Sequence, residues 1–309
     1  MKRGFTLVEI VAVIALTGIL AAGTFKALSA LYVRSAKARA VTELSLSTQA
    51  ALDQLSLLLY HRVPMSVIGY DPADGSFARL DALSAPKPVL EWLGSAEEAM
   101  IRRDYSGFVD MNASDPTANV LVSPDTDGGA LDATEKLKFA TSEGIYDEDL
   151  VRLVFAGTFD LGGEEGASDG FGWHGSGTAA IHPVTIGDDG NITLGADPAY
   201  IYEKYYLVDT AYAVARGADI NRTARCILDL GVEATEETLY LFYDYRPWKG
   251  ESFCADPAGG GAGKVTVLAE EVQGLRAETV NGTIRLSLDT LRPVRGATPV
   301  HVAKQKVVF

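Results

Sequence analysis

Residues 1–25 read MKRGFTLVEIVAVIALTGILAAGTF, and between Phe5 and Phe25 only Glu9 can carry a charge. A carboxylate near a bilayer centre costs roughly 2.5–3.5 kcal/mol on insertion scales, so its presence needs a cause. The apolar run covers about 32 Å as a helix, enough for the hydrocarbon core. An ordinary secretory signal is the competing reading, with Lys2 and Arg3 as its basic start and Ala27-Leu28-Ser29-Ala30 as its cleavage site. Such a signal has an apolar region of about 7–15 residues, shorter than this one, and a glutamate in its first turns is out of place. Lys26, Arg34, Lys37 and Arg39 outnumber the two leading cations, so a count of flanking positive charge leaves the orientation open.

The basic leader ending in Gly4, the phenylalanine after it and Glu9 four residues further on resemble the leader of type IV pilins and type II secretion pseudopilins. The resemblance implies cleavage between Gly4 and Phe5 by a leader peptidase, with N-methylation at Phe5 and a cytoplasmic start. It also implies a minor subunit of a pilus or secretion pseudopilus, because abundant subunits of the family are much smaller. Glu9 speaks against the extreme tip pseudopilin, which in the family lacks that carboxylate. Where many members carry a proline near the end of the span, this chain has Lys26. Cleavage would place a cationic amine on Phe5. Inside packed apolar helices an ammonium and a carboxylate each need a partner. Glu9 of one subunit is therefore expected to pair with the amine of its neighbour and set the register between helices.

The helix is expected to run from Phe5 to about Arg62, since Ala30 to His61 holds no glycine or proline and Pro64 supplies a stop. Val41, Leu44, Thr48, Leu52, Leu55 and Leu59 recur at three- and four-residue steps, with charged residues off that stripe. Its front is apolar all round and its rear amphipathic, as suits a helix that leaves lipid or a filament core to pack on a sheet. The expected class is α+β: a long helix packed on an antiparallel β-rich domain. Three parts follow: a leader (1–4), the helix (5–62, spanning at 5–25) and an exported domain (63–309).

Within that domain 64–144 reads as loop-rich, with a short helix near Ser95–Arg102, and Val151 to Phe159 reads as a strand. A glycine-rich insert follows at 157–196, marked as extended loops or hairpin turns. Tyr202 to Val214, Arg225 to Leu230 and Thr238 to Tyr245 have strand composition. Lys264 to Val272 fits a strand or a helix. Asn281-Gly282 is the strongest hairpin signal in the chain, and Val300 to Phe309 reads as a last strand.

The formal charge of −14 becomes −16 once Lys2 and Arg3 are removed, which disfavours nucleic acid as a direct partner. Cys226 and Cys254 most simply form one disulfide in an exported setting; two unpaired buried thiols are the alternative. The four histidines lack ligand spacing, and no nucleophile elbow or phosphate loop appears. His174 beside Trp173 fits a solvated loop anchored by the tryptophan, and a binding tip is the sharper reading. Asp125, Asp127, Asp132 and Glu135 flank Gly128-Gly129 and offer oxygens suited to calcium, although the EF-hand pattern fails at 129 and 136. A solvated acidic loop with no cofactor is the blander reading.

Asn112, Asn191 and Asn221 fit the N-glycosylation rule with an aspartate two residues earlier, and Asn281 fits the rule without one. Turn preference accounts for such clusters equally well. The expected partners are other pilin or pseudopilin subunits, the leader peptidase, the inner-membrane assembly platform and the membrane itself. A filament-borne adhesin using the glycine-rich insert is one rival reading, and a membrane-anchored extracytoplasmic hydrolase another.

Overall fold

A computed structural model describes residues 6–157, 170–198 and 200–309. Helix α1, Leu7–Tyr60, is continuous for 54 residues, about 80 Å, and passes through Gly18, Gly23 and Lys26 without a break. Thr17 donates its hydroxyl to the Val13 carbonyl and Thr24 to that of Leu20, so both hydroxyls are satisfied within the helix. Leu7, Ile14, Ile19, Phe25 and Leu31 are all exposed. Burial begins at Ala40 and continues through Leu44, Thr48, Ala51, Leu52, Leu55 and Leu59. The amphipathic stripe is therefore the docking face, and the apolar front stands free of the domain.

Strands β1 (Ile68–Asp71), β2 (Ser76–Arg79) and β3 (Val89–Ser95) follow, then helix α2 (Glu97–Arg102). Next come β4 (Asp110–Asp115), β5 (Val120–Val122), helix α3 (Gly128–Phe139) and β6 (Arg152–Phe155). The segment expected to be loop-rich thus carries five strands and two helices. Helix α2 falls within the expected Ser95–Arg102, whereas aspartate turns and glycines inside the other elements hide them from a composition reading. The strand at Val151 to Phe159 is observed over Arg152–Phe155, and residues 158–169, part of the glycine-rich stretch, lie outside the described residues. The rest of that stretch carries β7 (His182–Ile186) and β8 (Asn191–Leu194), an antiparallel hairpin.

Strand β9 (Tyr205–Arg216) is the spine of an eleven-stranded sheet among the described residues. One edge of β9 pairs with β3; the other pairs with β6 near Tyr205–Val208 and with β10 (Leu239–Tyr245) near Ala211–Arg216. Strand β11 (Lys264–Ala269) extends the β10 branch, while β7, β8, β5 and β4 extend the other. Arg225 to Leu230, expected as a strand, is instead a one-turn helix, α4 (Arg225–Leu228). A strand would bury alternate residues there. The helical turn buries Ile227 alone and leaves Leu228 at 61 % exposure.

A second sheet, β12 (Val272–Val280), β13 (Thr283–Arg292) and β14 (Val300–Val308), packs on α1. The β12–β13 turn has Asn281 at φ 51° and Gly282 at φ 78°, the two positive values that a two-residue hairpin turn requires. Strand β13 buries every second residue: Ile284, Leu286, Leu288 and Thr290. Ile284, Leu286 and Leu288 join Leu52, Leu55 and Leu59 of α1 and Trp92, Val214 and Leu241 of the large sheet in one core, while the Thr290 hydroxyl meets that of Thr48 on α1 at 3.0 Å. The rear of α1 is thus wedged between both sheets. Truncating one of those leucines to alanine costs about 2–5 kcal/mol by transfer and cavity formation.

Candidate functional site

The first turn of α1 closes on itself. Glu9 Oε2 accepts from the Thr6 N–H and from the Thr6 hydroxyl, each at 2.9 Å. Thr6 Oγ1 in turn accepts from the Glu9 N–H at 3.4 Å, which completes a capping box. Both contacts of the carboxylate fall on one oxygen, so Oε1 takes no part in the cap. The cap satisfies one face of the carboxylate and, among the described residues, brings no cation to it, whereas in apolar surroundings that charge needs a partner. Gly4 and Phe5 lie outside the described residues. Downstream of Glu9 the helix is long and apolar enough to cross a membrane.

The domain carried by this helix is stapled. Cys226 on α4 and Cys254 form a disulfide with Cα atoms 6.3 Å apart and a sequence separation of 28. Chain packing at Cys254 is tight enough that a Cβ on Gly261 would lie 2.5 Å from the Cys254 Cα.

Beside the bridge lies a buried ionic cluster that the sequence reading missed. His174 Nε2 is 2.7 Å from Glu91 Oε1, and its Nδ1 is 3.6 Å from Asp256 Oδ2. Tyr245 donates its hydroxyl to Glu91 at 2.7 Å, Tyr70 donates to Asp256 at 3.2 Å, and the Tyr70 ring stacks on the imidazole at 3.6 Å. Burial alone would lower the His174 pKa; hydrogen bonds to Asp256 and Glu91 outweigh it and push it up to about 9. The expected solvated loop is therefore corrected: His174 is 10 % exposed and anchors its loop to β3 and to the chain two residues past Cys254. The three partners lie 83 and 82 residues apart in sequence, so no local spacing could have signalled them.

The acidic residues around Gly128-Gly129 have separate tasks. Asp127 caps α3, accepting from the Gly129 and Ala130 N–H groups at 3.0 Å each. Asp132 pairs with Lys136 at 2.6 Å and accepts from the Ile145 N–H. Asp125 is exposed in a left-handed conformation at φ 54°. Glu135 is fully buried. There Lys138 donates to Asp209 and, at 2.7 Å, to Glu98. Burial, followed by the charge of Asp209, pushes the Glu135 carboxyl well above the usual carboxylate range. Among the described residues no three histidine, cysteine or carboxylate side chains gather as a metal-holding group. Asn112 and Asn221 are exposed, whereas Asn191 is half-buried in β8.

The prokaryotic N-terminal methylation motif matches residues 1–25. The chain carries the leader of the type IV pilins and pseudopilins. The match covers Gly4, Phe5, Glu9 and the apolar front of α1, and among the described residues α1 alone is long and apolar enough to cross a membrane. No curated protein and no solved structure matches the chain.

Proposed function

We propose that the chain is a minor, structural subunit of a type IV pilus or type II secretion pseudopilus. It is cut after Gly4, N-methylated at Phe5 and held in the inner membrane until a neighbouring assembly platform draws it into the filament. The observation that carries this reading is the apolar front of α1, exposed from Leu7 to Leu31, with one carboxylate at Glu9. An arm of that kind requires lipid or other helices around it, because in water it would expose far more contiguous apolar surface than a soluble monomer tolerates. In the isolated chain Thr6 caps Glu9 through Oε2. In the filament the charged amine of a neighbour's Phe5 supplies the cation that the cap lacks. The pair contributes register more than stability, since burying both ions offsets much of their attraction.

The domain, with its disulfide, faces outward in the periplasm or along the filament, and its role is structural, not catalytic. Glu9→Val tests the assembly role. The variant should still insert and be cleaved, but its incorporation into filaments should fall at least tenfold by immunoblot of sheared fractions. Incorporation equal to wild type would refute the pairing.

A further inference from the structure

The chain contains five asparagines: Asn112, Asn119, Asn191, Asn221 and Asn281. All but Asn119 have serine or threonine two residues on, and Asn112, Asn191 and Asn221 also have aspartate two residues before. Serine plus threonine fills about one position in eight, and aspartate plus glutamate about the same. That composition predicts fewer than one such asparagine, where four occur. It predicts about half an acidic neighbour among those four, where three occur. Turn chemistry accounts for Asn281, which occupies the β12–β13 hairpin turn and has Thr279 where the others have aspartate.

The structure separates the remaining three. Asn112 is exposed in edge strand β4, where pairing with β5 skips from Asp110 to Asp115 and bulges the intervening residues. Asp110 accepts from the Asn112 and Ala113 N–H groups at 2.9 and 3.2 Å, so the carboxylate holds the bulge from inside while the Asn112 carboxamide has no partner among the described residues. Asn221 is exposed beside a surface cleft of about 440 Å³ lined by Asp71, Pro72, Asp219 and Pro257. Its Oδ1 accepts from the Thr223 N–H at 3.1 Å and from the Thr223 hydroxyl at 2.7 Å, which leaves Nδ2 unclaimed. Asn191 differs on each count. It is half-buried, its Nδ2 donates to Asp189 at 2.5 Å, and its strand is flanked by β5 and β7.

We infer that Asn112 and Asn221 are acceptors of an N-linked oligosaccharide donated by a polyprenyl-diphosphate-linked glycan, and that Asn191 is not. In the transfer the carboxamide Nδ2 forms a bond to the anomeric carbon and loses one proton to the transferase. The bond from that carbon to the diphosphate oxygen breaks, and polyprenyl diphosphate leaves with the electron pair. No oxidant or reductant is needed. The inference rests on the reading that the domain lies outside the cytoplasm, where such donors are used.

The test is intact-mass and peptide-mapping spectrometry of the full chain purified from membranes of its own host. Two equal mass increments are expected. Asn112→Gln and Asn221→Gln should each remove one, Asp219→Ala should remove the increment at Asn221, and Asn281→Gln should remove none. Tryptophan fluorescence of each variant confirms that the domain is folded. An unmodified mass, or increments indifferent to both glutamine variants, overturns the inference. The same spectrum separates the two readings. A closed disulfide and a start at Phe5 without glycan sink only the glycan, whereas reduced thiols and a retained Met1 sink the exported reading with it.

Discussion

Replacing Cys226 and Cys254 together with alanine should cost the domain about 3.5 kcal/mol. The bridge closes 28 residues of chain. In the chain-entropy treatment a loop of that length falls between about 3 kcal/mol for 15 residues and about 4.7 for 100. Every 1.4 kcal/mol is tenfold, so the unfolded fraction should rise by about 2.5 decades. The assay is urea unfolding of the full chain in detergent micelles, followed by tryptophan fluorescence. Trp92, Trp173 and Trp248 are all buried in the domain and none lies in α1, so the signal ignores the membrane arm. With a slope of about 2–3 kcal/mol per molar urea, the midpoint should drop by roughly 1–2 M. Wild-type protein reduced with dithiothreitol keeps both sulfurs and isolates the cross-link from lost packing; it should show most of the same drop. Coincident curves for oxidised and reduced wild type would refute the claim that the bridge constrains this fold.

The His174 cluster makes stability depend on pH. Its folded pKa, about 9, lies above the ordinary value of 6.5, so its contribution is complete below about pH 6.5 and is lost as pH rises through 9. The shift corresponds to something on the order of 3 kcal/mol. Asp256 stays ionised across that window, and the raised Tyr70 and Tyr245 stay neutral. His174→Gln should therefore be less stable than wild type at pH 6, with the gap closing by pH 10. Glu135 titrates in both proteins and cancels in the difference; a gap constant with pH would contradict the cluster. Lys138→Met leaves Asp209 buried without its cation and should cost about 3–5 kcal/mol at pH 7, read from the same urea curves. A loss below 1 kcal/mol would contradict the role of that ion pair.

The parts of the fold visible in the sequence are those whose pattern is local. The 3.6-residue stripe on α1 and the alternation flanking Asn281-Gly282 each lie within one element and appear where expected, except that Ala40 is buried at the head of the stripe and Val41 is 42 % exposed. Helix α3 was missed because its first two residues, Gly128 and Gly129, look like breakers. In the fold Asp127 caps them, and Gly128 packs so close to Ile186 that a Cβ would sit 2.0 Å from its carbonyl oxygen. Arg225 to Leu230 has strand composition, yet the turn formed by Asn221 and Thr223 and the bridge at Cys226 hold it as a helical turn. The N-terminal motif was legible because its residues are contiguous in sequence. The Glu91–His174–Asp256 cluster was not, because its members meet only after β3, the 170–177 loop and the chain just past Cys254 have packed.

The most direct measurement is the amino terminus of the protein taken from its own host's membranes, read by mass spectrometry of the first tryptic peptide. A chain starting at Phe5 with a methylated amine, cationic in its protonated form, is expected. A peptide beginning near Leu31, or one beginning at Gly4 as trypsin leaves from an uncut leader, would contradict the assignment of α1 as a filament helix with Glu9 as its buried counter-charge.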